Sequence, residues 1–309
     1  MDSLPQLAET VFLTDSGLET DLIFHHGYDL PDFAAFVLLD DESGTETLRR
    51  YYREHATIAR DAGVGFVLES PTWRASADWG DRLGYSPERL ADVNRRALAL
   101  LVDLREGLSS QVRPVVISGC VGPRGDGYRP AELMTGDEAQ RYHSTQVATF
   151  AGTEADLVTA MTITYADEAI GIARAAEDAG VPVVISFTVE TDGMLPNGSS
   201  LEEAVRAVDG VTDGYPAYYM VNCAHPSHFA AVLEGGGDWT SRLRGVRANA
   251  SRRSHAELDE AEDLDDGDPQ QLGREYRQLR EAAPQLTVLG GCCGTDRRHV
   301  QEIATACIS

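Results

Sequence analysis

The chain contains no lysine; all 26 basic residues among its 309 are arginine, set against 50 aspartates and glutamates for a formal net charge of −24. A protein that neutralises nucleic-acid phosphates or docks on anionic lipid needs a basic stripe. None is present, so neither partner is expected. Also missing is any run of about 18 apolar residues, and the first residues carry no basic stretch followed by an apolar one. These absences argue against a helical membrane span and a secretory leader, and we expect a soluble, cytoplasmic protein. The five cysteines, two of them adjacent, are not the even, spaced set of a secreted disulfide scaffold. Reduced thiols fit them better. Finally, Asp15-Ser16-Gly17-Leu18-Glu19-Thr20 lacks a G-x-G-x-x-G pattern, which weakens a dinucleotide-binding, doubly wound sheet.

What the chain does have is a repeating pattern. Runs rich in Val, Ile and Leu recur at 11–14, 64–69, 114–119, 156–162, 181–187, 217–222, 243–248 and 286–290. Helix-start signals lie between them, among them Ser86-Pro87 and the capping boxes Thr135-Gly136-Asp137-Glu138 and Ser200-Leu201-Glu202-Glu203. Eight strand–helix repeats in a chain of this length predict an α/β fold, a single (β/α)8 TIM barrel, with 1–309 as one domain. The densest acidic stretch, eight acids in the thirteen residues from Ala256 to Asp268, reads as a solvated loop, although loops at a barrel's active rim also serve as lids.

The cysteines carry the chemistry. Cys292 and Cys293 lie in Gly290-Gly291-Cys292-Cys293-Gly294-Thr295 after the eighth apolar run, and Cys223 ends the sixth in Tyr218-Tyr219-Met220-Val221-Asn222-Cys223. Loops that follow barrel strands all open on the C-terminal face, so the three sulfurs are expected to converge there. Three thiolates suit a borderline-soft cation, usually Zn2+, and leave a fourth position open, the mark of a catalytic rather than a structural zinc. The simpler explanation, small buried hydrophobes, leaves the flanking glycines without a purpose. Cys120 and Cys307 have no partner motif and read as packing residues. His225, two residues after Cys223, would close the open position as a fourth ligand, so we exclude it from the set. His25, His26 and His143 have no ligand spacing and read as surface or cap residues.

These motifs resemble the homocysteine S-methyltransferase family, which includes enzymes that use betaine, S-methylmethionine or cobalamin. Val221-Asn222-Cys223 and the Gly290–Thr295 stretch are similar to its zinc-binding elements. Thr14-Asp15-Ser16-Gly17-Leu18-Glu19-Thr20, Ser118-Gly119-Cys120-Val121-Gly122-Pro123 and Ile185-Ser186-Phe187-Thr188 match weaker, collinear elements. The resemblance implies a barrel with catalytic zinc at its C-terminal face, held by Cys223, Cys292 and Cys293. It also implies transfer of a methyl group from a small donor to a thiol acceptor, most simply homocysteine, giving methionine. Substrate contacts would come from Asp15, Gly17, Thr72, Arg74, Met161, Asn222 and Asn249.

The departures concern the substrate shell. Family members commonly carry a glutamate on the fourth strand that helps hold the acceptor's ammonium group, and Met161 stands there. The second-strand element becomes Ser70-Pro71-Thr72-Trp73-Arg74 and the seventh-strand element Arg247-Ala248-Asn249. Either Glu69, Asp15 or Glu190 replaces the missing carboxylate, or the acceptor lacks an amino group, and the coordinated changes favour the latter. Two alternatives follow: methyl transfer to another small thiol or a selenol, and a zinc- or thiol-binding barrel without turnover. No appended corrinoid or folate module is visible, so a small donor of the S-methylmethionine, S-adenosylmethionine or betaine and thetin type is expected. The oligomeric state is not legible in the sequence.

Overall fold

A computed structural model describes residues 4–8, 10–129, 133–261 and 263–308. Eight parallel strands close a barrel in sequence order: β1 (Phe12–Leu13), β2 (Gly65–Glu69), β3 (Val115–Val121), β4 (Leu157–Ile163), β5 (Val183–Phe187), β6 (Tyr218–Asn222), β7 (Leu243–Ala248) and β8 (Val288–Gly291). Closure is direct, with Phe12 registered against Gly65 on one side and Val288 on the other. The TIM barrel expected from the strand–helix pattern is therefore present. Its first strand is shorter than the apolar run that signals it.

One outer helix follows each strand: α1 (Glu42–Ala62), α2 (Pro87–Leu108), α3 (Gly136–Ala151), α4 (Ala166–Ala179), α5 (Leu201–Thr212), α6 (Pro226–Glu234), α7 (Pro269–Ala282) and α8 (Arg297–Ile308). Local chemistry sets their ends. Thr135 with Glu138 and Ser200 with Glu203 form both expected capping boxes, while Ser86 caps α2 ahead of Pro87. Gly63 and Gly180 end α1 and α4 at φ 69°, a left-handed geometry glycine adopts without steric cost. Among the described residues no helix is long and apolar enough to cross a membrane.

Two apolar layers hold the fold. The larger lies between strands and helices, built from side chains such as Leu48, Leu101, Phe150, Ile172 and Phe229. The smaller plugs the barrel interior: Phe12, Val67, Val116, Leu157, Val184, Met220 and Val288 stack across seven strands. β7 contributes Gly245 at that level, where a Cβ would lie 2.7 Å from the Met220 side chain. Towards the C-terminal ends the interior turns polar, with Glu69, Ser118, Thr159, Ser186 and Arg247 all buried. The apolar plug thus seals one end of the barrel, and the other holds charge above it.

Candidate active site

Above the plug opens a cavity of about 320 Å3. Cys223, Cys292 and Cys293 converge on its wall. Cys223 Sγ lies 2.8 Å from Cys292 Sγ and 3.5 Å from Cys293 Sγ, and all three sulfurs fall within one ligand-sized cluster. The backbone bends to achieve this. Cys223 adopts φ 54°, which costs a non-glycine residue strain of about 1–3 kcal/mol. Gly294 takes φ 77° directly after the pair. The cluster shares its protons unequally: hydrogen bonds from Cys223 and Cys293 hold Cys292 well below the ordinary thiol range, and bonding to Cys292 and Cys293 pushes Cys223 up. Three converging thiols, one of which already favours the thiolate, suit a borderline-soft divalent cation.

Neighbouring side chains fix the loops that carry these sulfurs. Asn222 accepts from Thr162 N at 2.9 Å and from Ser186 Oγ at 2.7 Å, then donates through Nδ2 to Thr162 Oγ1 at 2.8 Å and Cys292 Sγ at 3.8 Å. It lines the cavity and ties three strands together. Asn249 stands behind the wall, donating Nδ2 to the Cys223 carbonyl at 3.0 Å. Thr72 is likewise behind it, with its hydroxyl given to the Cys120 carbonyl at 2.8 Å. Neither forms part of the lining, so both serve the loops rather than facing the cavity. Gly17 does line it. A Cβ there would lie 2.3 Å from the Cys292 carbonyl oxygen, so only glycine lets the first βα loop approach the turn that carries Cys292 and Cys293.

The floor is charged. Arg247 Nη2 sits 2.7 Å from Asp15 Oδ1, and Nη1 is 3.7 Å from Glu69 Oε2. The same guanidinium donates Nε to the Gly291 carbonyl at 3.0 Å and Nη2 to the Ser16 carbonyl at 3.1 Å. Burial raises the Glu69 carboxyl to about 7, with Arg247 pulling the other way. Glu19, also on the lining, is raised to about 7 by burial. Met161 presents a thioether here, and its carbonyl accepts from Trp73 Nε1 at 3.2 Å. Arg74 lies between two indoles, 4.0 Å from the Trp73 ring and 3.7 Å from that of Trp79, with Nη1 donated to the Gly125 carbonyl at 3.0 Å. Cys120, read from sequence as a packing residue, also lines the cavity.

Sequence reasoning missed three features. Tyr128, in the glycine-rich loop after β3, places its hydroxyl 3.4 Å from both Cys223 Sγ and Cys293 Sγ, where an oxygen donor would face a metal held by the cysteines. Its ring stacks on His255 at 4.1 Å, and His255 joins the Cys223 carbonyl at 2.7 Å and Glu190 at 3.1 Å. Arg247 was noticed only as a departure; β7 carries two arginines, and only the structure shows that Arg247 is buried in an internal ion pair while Arg244 is partly exposed. The third is the acidic stretch after β7, read mainly as a solvated loop with a lid as the alternative: Leu258, Asp259, Ala261, Asp263, Leu264 and Asp265 line the cavity. Arg298 pins that stretch through Asp266 at 2.7 Å.

The histidines resolve individually. His225 caps α6 through its own side chain and points Nε2 at Glu275, 3.1 Å away, so it stands apart from the sulfur cluster. His143, expected at the surface or a cap, is instead buried against Glu168 at 3.0 Å. His25 is partly exposed beside Asp296.

The profile of the homocysteine S-methyltransferase family matches residues 12–307. The chain belongs to this family. Family membership makes it a methyltransferase. No curated protein sequence matches it. Among solved structures it is similar to the homocysteine methyltransferase MmuM from Escherichia coli. The oxidised form superimposes with a TM-score of 0.75 at 20% identity, covering 98% of each chain. The metallated form gives a TM-score of 0.74 at 20% identity over 96% of each chain. At that identity the likeness speaks for the fold.

Proposed function

We propose that this protein is a zinc-dependent S-methyltransferase that moves a methyl group from a small cationic donor to homocysteine, yielding methionine. The observation that carries the proposal is the convergence of Cys223, Cys292 and Cys293 on one wall of a roofed cavity. These three residues would hold the metal, with the Tyr128 hydroxyl beside them. When bound, zinc would supply deprotonation of the acceptor thiol, which is otherwise mostly protonated at neutral pH.

The remaining work falls to the chain itself. Asn222, Asn249 and His255 hold the ligand loops in place. The roof limits water, which strengthens every charge interaction inside. At the mouth, Phe24, Phe33 and Trp73 stand with Asp126, Asp259, Asp263 and Asp265, a setting that favours a sulfonium or quaternary ammonium donor over a neutral one. The acceptor thiolate attacks the donor methyl carbon in line. A sulfur–carbon bond forms, the donor's bond to that methyl breaks, and the donor leaves as a neutral thioether or amine.

Met161 favours a second reading, in which the acceptor is another small thiol or a selenol. Zinc-loaded protein incubated with S-methylmethionine, S-adenosylmethionine, betaine or dimethylthetin against a panel of thiols and selenols separates the two. Methionine formation from homocysteine is the expected result. Turnover restricted to other acceptors would establish the second reading, and no methylation of any acceptor would overturn both.

A further inference from the structure

We propose that Glu69, at the C-terminal end of β2, receives the ammonium group of the acceptor amino acid in place of the absent carboxylate on β4. This rests on the acceptor being homocysteine. Of the three carboxylates positioned by sequence to substitute for Met161, two are already engaged. Asp15 takes Arg247 on Oδ1 at 2.7 Å and the Tyr51 hydroxyl on Oδ2 at 3.3 Å. Glu190 is bonded to His255 and is not among the cavity-lining residues.

Glu69 differs on each count. It lines the cavity, is only 7% exposed, and its Oε1 makes no hydrogen bond. Its Oε2 lies 3.7 Å from Arg247, whose other donors go to Asp15, Ser16 and Gly291, and the Ser118 and Thr159 hydroxyls also bond the carboxyl, which still leaves Oε1 without a donor. The floor therefore holds two carboxylates against one guanidinium. A buried charge left without a partner is costly, and a group that brings one positive charge and three donors would complete it. A primary ammonium does both.

The position also suits the reaction. Arg247 connects the floor to the turn that carries two of the three cysteines, because its Nε bonds Gly291, the residue before Cys292. An acceptor whose sulfur is at the cysteines and whose ammonium is at Glu69 would span the cavity's charged wall. Met161 would then pack against its methylene chain, a contact for which a thioether is suited.

The test compares homocysteine with 4-mercaptobutanoate, which has the same chain length and carboxylate but no ammonium. Binding to zinc-loaded protein is measured by calorimetry, alongside kcat/KM with whichever donor supports turnover. The wild type should prefer homocysteine by about a hundredfold, or about 2.7 kcal/mol. Glu69→Gln should erase most of that preference by raising the homocysteine Kd and KM, while 4-mercaptobutanoate shifts by threefold or less, and Glu69→Asp should recover part of it. An unchanged preference in Glu69→Gln overturns the assignment. So does an equal loss for both thiols in a variant with wild-type melting behaviour, or a loss found in Glu19→Gln instead. If no donor gives turnover, the methyl-transfer reading fails, and the calorimetric comparison still decides the role of Glu69.

Discussion

Arg247 and Asp15, 232 residues apart in sequence, form a buried ion pair at 2.7 Å that joins β7 to the loop after β1 inside the barrel. Removing one member of such a pair leaves the other charge buried alone, at a cost of about 3–5 kcal/mol. Arg247→Leu strands two carboxylates, Asp15 and Glu69, and should destabilise more than Asp15→Asn, which strands none once Glu69 keeps the guanidinium. Thermal or denaturant unfolding of the two variants checks this order. Equal losses would mean that Glu69 draws no benefit from Arg247.

Asn249 braces the three-cysteine cluster from behind. Its Nδ2 holds the Cys223 carbonyl, at a residue already forced to φ 54°. Asn249→Ala should weaken zinc affinity by about 10–100-fold, the usual effect of losing a group that orients a ligand, while leaving the barrel folded. Competition with a calibrated chelator measures the affinity. Unchanged affinity would show that His255, bonded to the same carbonyl, suffices.

The raised carboxyl of Glu69 makes a pH prediction with a definite sign. Its value is 4.5 when unperturbed and about 7 in the fold. A carboxyl raised by folding stabilises the native state fully below the unfolded value, and that contribution is lost as pH rises through the folded one. Glu69→Gln stays neutral throughout. Measured without substrate, the variant should therefore gain stability relative to wild type between pH 5 and pH 8, by on the order of 1–3 kcal/mol. Parallel melting curves across that interval would contradict the raised value. Homocysteine, which brings a positive charge to Glu69, should shrink the difference.

Much of the architecture was legible because buried parallel strands leave unbroken Val, Ile and Leu runs, and because Ser86, Thr135 and Ser200 announce their helices. The three cysteines were legible for a related reason: strand ends of a barrel share one face, so distant residues can be assigned to one place. The lining was harder. Whether Thr72 or Asn249 faces the cavity or stands behind it depends on how each loop turns after its strand, and no periodicity records that. The acidic residues from 256 to 268 read as solvated by composition, but Leu258 and Leu264 give the stretch an apolar side that covers the cavity mouth. Tyr128 reaches the sulfurs from a loop that passes close to Trp73 at Gly127, 3.1 Å from where a Cβ would sit, and no sequence pattern records that approach. The missing carboxylate at Met161 was visible in sequence. That Glu69 alone among its substitutes lines the cavity with a buried oxygen that makes no hydrogen bond was visible only in three dimensions.

The central claim is a three-cysteine zinc that takes the acceptor sulfur as its fourth ligand. X-ray absorption at the zinc edge, recorded before and after addition of homocysteine, tests it directly. The sulfur count should rise from three to four, and Cys223→Ser should lose most of the metal under the same conditions. A sulfur count that stays at three with saturating homocysteine, or a full complement of zinc in Cys223→Ser, would contradict it.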